Sequence, residues 1–101
     1  MALSNLDRDL LKNCLEGSDT AWCTFCDRYL GLVVHVVSHS AEALGVPLDA
    51  TSRDDLVAEA LGALVERDFA VLRRFRGDSS LATFLAVVTR RAVHKRLLQR
   101  S

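Results

Sequence analysis

Apolar residues recur every three or four positions in four separate stretches of this chain, and they nowhere alternate over a useful length. That spacing predicts amphipathic helices and no strands. Leu6, Leu10, Leu11 and Cys14 share one face, with Ser4 and Asp7 in capping-box spacing ahead of them and Gly17 as the stop. Ser18 or Asp19 caps a longer helix whose seam is Trp22, Phe25, Tyr29, Leu32 and Val36, running to about Leu44 before Gly45-Val46-Pro47 breaks it. Ser52, with Asp55 three positions on, caps a third helix striped by Leu56, Val57, Ala60, Leu61, Leu64 and Val65. Residues 68–72 read equally as a continuation or a kink. After the polar turn Arg76-Gly77-Asp78-Ser79, Ser79 or Ser80 caps a fourth helix with Leu81, Phe84, Leu85, Val88 and Ala92 on its apolar side. The expected fold is all-α, a compact bundle of about four helices forming one domain over residues 1–101.

Composition agrees with that picture. At 101 residues, 50% apolar and with a single proline, the chain can bury a core without disulfides or a structural metal. The longest apolar run, Leu32 to Val37, is broken by His35 and falls far short of the ~20 residues of a membrane span, so no membrane partner is expected. The polar start does not read as a secretory signal, and three cysteines cannot all pair internally, which together predict a reducing cytoplasm.

Charge changes the picture more. The formal net charge is zero, but residues 1–72 carry 5 Lys/Arg against 12 Asp/Glu, a net of −7, while residues 73–101 carry 8 against 1, a net of +7. The basic segment holds Arg73, Arg74, Arg76, Arg90, Arg91, Lys95, Arg96 and Arg100. A cationic arm on an anionic body predicts either a polyanionic partner, nucleic acid first, or a solvated Arg-rich helix. Phe75, Phe84 and the small polar turn residues add surfaces that can receive unstacked bases, although both rings also read as core, Phe84 the more strongly because it lies on the apolar stripe.

Other constellations carry less. Cys23-x2-Cys26 and His35-x3-His39 have metal-ligand spacing, yet on one straight helix the histidines lie ~120–160° round from Cys23 while Cys26 lies ~60° the other way. The two cysteines are therefore expected at the core or its boundary, with no metal and no cofactor. Asp54 and Asp55 suit a helix N-terminus, Glu59 suits it less well, and an acidic face offered to a basic partner is the alternative for the cluster. No nucleophile elbow or phosphate loop is present, and no enzymatic activity is expected.

The order of these motifs resembles region two of the extracytoplasmic-function (ECF) sigma factors of bacterial RNA polymerase. The likeness rests on Asp55-Leu56-Val57-Ala58-Glu59-Ala60-Leu61, close to the family's DLVQEVF, and on the block from Leu72 to Leu85, close to RFRGxSSLxTWL. Leu10 to Trp22, with Tyr29 beyond, is similar to the first part of that domain. The resemblance implies a transcription initiation factor. Asp55, Ala58, Glu59, Leu61, Gly62 and Val65 would dock on the clamp helices of core RNA polymerase. Phe75, Arg76, Asp78, Ser79, Ser80, Thr83, Phe84, Arg90, Arg91, His94 and Lys95 would take promoter DNA, the non-template strand of the −10 element, with a base flipped into a pocket built by the turn. An anti-sigma factor stands as an optional further partner.

Four departures mark a divergent member: Ala58 for the usual Gln, Phe84 for Trp, Arg91 where Asn often stands, and a long loop from Gly45 to Ser52. Sigma factors of this class carry a second helical domain that reads the −35 element, so a chain stopping at Ser101 is expected to be a fragment of a longer one. The rival reading from another class is a helical protein-interaction module without DNA function.

Overall fold

The computed structural model describes residues 5–99; the Ser4 cap and Arg100 lie outside the described residues. Four helices follow one another: α1 (Asn5–Leu15), α2 (Asp19–Ala43), α3 (Ala50–Arg73) and α4 (Leu81–Gln99). The fold is all-α, as the apolar spacing requires, and among the described residues no helix is long and apolar enough to cross a membrane.

The caps explain the boundaries. Gly17 ends α1, with the Ser18 amide bonded back to the Asn13 carbonyl at 3.1 Å. Ser18, not Asp19, caps α2: its Oγ accepts from the Ala21 amide at 3.1 Å. Gly45 closes α2 at φ +72°, and the Val46 amide reaches the Ala41 carbonyl at 2.9 Å, a Schellman closure that the left-handed glycine permits. The start of α3 differs from the sequence reading. Asp49 is the cap, accepting from the Ser52 amide at 2.7 Å, so Ser52 sits within the first turn. A carboxylate outcompetes a hydroxyl here because it accepts a charge-assisted bond.

The 25-residue α2 would span about 37 Å, which accounts for the 39 Å long axis of the molecule. The other three helices pack around it. Its buried face is Ala21, Phe25, Tyr29, Val33, Val37, Ser40 and Ala41, so Val33 and Val37 replace the expected Leu32 and Val36, which are only half-buried. A straight helix turns about 100° per residue, so a four-residue repeat drifts around the axis as partners change along its length. One half of the core is aromatic: Phe25, Tyr29 and Cys14 with Leu64, Leu72, Leu81 and Leu85, flanked by Trp22, Phe69, Phe75 and Phe84. The other half is aliphatic: Val33, Val37, Ala41, Leu56, Val57, Ala60, Val93 and Leu97. Asp7 fastens α1 to α2 by accepting from Tyr29 Oη at 3.0 Å and pairing with Arg28 Nε at 2.9 Å.

The segment that sequence left undecided is a kink. Arg67, Asp68 and Phe69 take φ of 54°, 56° and 60°, interrupting α3. Left-handed backbone costs a non-glycine residue roughly 1 kcal/mol or more. Two contacts offset it. Phe69 packs edge-on to Trp22 at 5.6 Å. The Arg73 guanidinium donates to the Asp68 carbonyl and to the Leu15 carbonyl, both at 2.8 Å.

Candidate nucleic-acid interface

On α4 the deepest residues are Leu81, Leu85, Thr89, Val93 and Leu97, one every four positions. Phe84, Val88 and Ala92, expected on that core stripe, are instead half-buried on the adjoining flank. This rotation opens a groove between α3 and α4. Its cavity of about 280 Å³ is lined by Ala63, Val71, Arg74, Phe84, Val88, Arg91, Ala92 and Lys95. Phe84, Val88, Arg91 and Lys95 follow at i, i+4, i+7 and i+11, so a single face of α4 alternates from wall to cation. The alanines keep the floor low. A smaller adjoining cavity of about 150 Å³ carries Glu59, Glu66, Arg96 and Gln99 at the C-terminal end of α4.

The cations of the basic arm separate into two groups. Arg73 binds the Leu15 carbonyl and pairs with Asp68 at 3.5 Å, and Arg96 pairs with Glu59 Oε1 at 2.9 Å. Arg74, Arg91 and Lys95 have no ion pair or side-chain hydrogen bond among the described residues. Those three converge on the groove. Arg90 and His94 lie about 60–160° from the groove-lining residues of α4 and do not line it, Arg90 being exposed and His94 half-buried.

The turn before α4 does not line this cavity. Phe75 packs edge-on to Phe84 with centroids 5.2 Å apart, both half-buried against the aromatic half of the core. Ser80 is the α4 cap: its Oγ accepts from the Thr83 amide at 3.0 Å and bonds the Thr83 hydroxyl at 2.9 Å. Ser79 Oγ donates to the Ser80 carbonyl at 3.2 Å. These hydroxyls shape the turn, Gly77 at φ +81° reverses it, and Arg76 and Asp78 stand exposed on it.

The acidic-face residues are also redistributed. Asp55, Ala58 and Val65 are exposed and share one outward strip of α3 with half-buried Gly62, at i, i+3, i+10 and i+7. Leu61 packs against both halves of the core. Glu59 stands on the ridge between strip and groove, tied to α4 by Arg96. Sequence reasoning missed Arg74, Val71 and Ala63. Arg74 belongs to the arginine run, but nothing local distinguishes it from Arg73.

The three cysteines are free thiols. Cys14 is buried and Cys26 half-buried, but Cys23 is exposed, contrary to its expected place at the core boundary. Burial pushes the Cys14 thiol up, the Cys26 thiol adding to it, and burial likewise raises Cys26 ahead of Cys23 and Asp27. His35 and His39 stack at 6.0 Å on exposed positions. Among the described residues no three His, Cys, Asp or Glu side chains group as metal ligands would. No family model, curated protein or solved structure matches the chain.

Proposed function

We propose that this chain is a transcription initiation module of the sigma region-two kind, docking on core RNA polymerase through α3 and holding a melted −10 strand with α4 and the preceding turn. The observation that carries the reading is the meeting of three unpaired cations with an aromatic wall in the α3–α4 groove. An unpaired strand can lay a base against Phe84 while its phosphates meet Arg74, Arg91 and Lys95; a duplex keeps its bases inside and offers phosphates alone. Capture of the open strand then favours melting. The strip of Asp55, Ala58, Gly62 and Val65 offers small side chains and a carboxylate to the basic clamp helices, and Arg76 adds a cation on the turn.

The test has two arms. Core RNA polymerase should be captured by the wild type and lost with Asp55→Lys. A single-stranded −10-like oligonucleotide should bind more tightly than its duplex, and Arg91→Glu should weaken that binding and flatten its salt dependence. Equal capture by both proteins, or strand binding indifferent to Arg91→Glu, overturns the assignment. Two exposed leucines, Leu30 and Leu98, favour a second reading as a helical protein-interaction module, which partner capture without any strand binding at low salt would support.

A further inference from the structure

We infer that the α3–α4 groove selects guanine in an unpaired strand, with Arg91 addressing the O6 and N7 of a base laid against Phe84. This rests on the strand-binding reading above and adds a base identity to it. The argument is one of donors and acceptors. Every polar side chain lining the cavity belongs to Arg74, Arg91 or Lys95, and the rest are Ala63, Val71, Phe84, Val88 and Ala92. Arginine and lysine donate hydrogen bonds and accept none. The carbonyls of α4 facing the groove are spent on the helix's own ladder.

A base entering a site that only donates is satisfied when its exposed edge accepts. On the major-groove edge turned to Arg91, adenine and cytosine set their amino groups, N6 and N4, against a donor, whereas guanine's own donors, N1–H and N2, lie on its other edges and face the open mouth of the groove. Guanine presents two adjacent acceptors on its major-groove edge, matching the two parallel N–H groups of a guanidinium fork. Thymine offers O4 but not the adjacent pair. The apolar walls of Phe84, Val71 and Val88 suit the base plane, and Arg74 and Lys95 remain for the flanking phosphates.

The experiment measures fluorescence anisotropy of the full chain with a short labelled oligodeoxythymidylate carrying one central dG, dA, dC or 7-deaza-dG. The dG strand should bind about tenfold more tightly than the dA or dC strands, the size of one bidentate contact. The 7-deaza-dG strand, which lacks the N7 acceptor, should lose most of that preference. Arg91→Lys, which keeps the charge and removes the fork, should bind all four within about twofold of one another. Salt-sensitive binding with no preference for dG, or a preference untouched by 7-deaza-dG, overturns the inference and leaves the strand-binding reading standing. Absence of binding to every strand removes both.

Discussion

The two flanks of α3 make an instructive contrast. One is a groove, concave and apolar at its floor, with Arg74, Arg91 and Lys95 unneutralised at its rim. The other is an outward strip of Asp55, Ala58, Gly62 and Val65, of which only Asp55 is charged. Between them Glu59 and Arg96 spend opposite charges on each other. Net charge along the sequence therefore overstates what each surface offers. A cation is available to a phosphate when the fold leaves it without a partner, and an apolar wall beside it adds a surface for a base.

The largest effect breaks both flanks together. Phe25 is 0% exposed at the centre of the aromatic half, stacked on Trp22 at 5.4 Å and near Tyr29 at 5.0 Å. Phe25→Ala should cost about 3–5 kcal/mol in chemical denaturation, a large share of a small domain's stability. A Val37→Ala change in the aliphatic half should cost about 2 kcal/mol. If the two substitutions prove equal, the aromatic half is not the stronger support.

Filling the groove separates the flanks. Ala63→Leu places a larger side chain in both adjoining cavities and should weaken strand binding about tenfold, the worth of one stacked base, while capture through the outward strip stays unchanged. A matching loss of both functions would show that the flanks are not independent.

Smaller effects sharpen the ridge and the ends. Glu59→Gln breaks a half-exposed ion pair and should lower stability by only about 0.2–1 kcal/mol; freeing Arg96, it should tighten strand binding at low salt and not at high salt. Asp49 has its carboxyl pulled below the ordinary value by the Ser52 amide, the Ser52 side chain adding to it. A depressed folded value means the cap contributes above the ordinary carboxylate range and loses that contribution as pH falls through the lower folded value. Asp49→Asn keeps an acceptor, so its acid unfolding curve should lack that component. Arg67→Gly, at φ 54° and exposed, should relieve strain and raise stability by a few tenths of a kcal/mol, roughly the gain left after the added chain entropy of glycine.

The four helices, the glycine stops at Gly17 and Gly45, the serine caps of α2 and α4 and the all-α class were legible because each depends on residues within a turn of one another, whereas the start of α3 was misplaced from Asp49 to Ser52. The sorting of charge was legible too. Sequence by itself determined that adjacent cations would stand at 73–74, 90–91 and 95–96. Only the tertiary structure decided that Arg74, Arg91 and Lys95 line the groove while Arg73 and Arg96 are tied up elsewhere and Arg90 faces away. One step along a helix turns a side chain by about 100°, and the neighbour it then meets is remote in sequence. Leu15 lies 58 positions from Arg73 and Glu59 lies 37 from Arg96. The same holds for the kink in α3, where Trp22 and Leu15 hold a left-handed segment that local preference disfavours. Local propensity and capping act over a few residues and fix the elements, whereas partners brought from far along the chain fix which charges remain available.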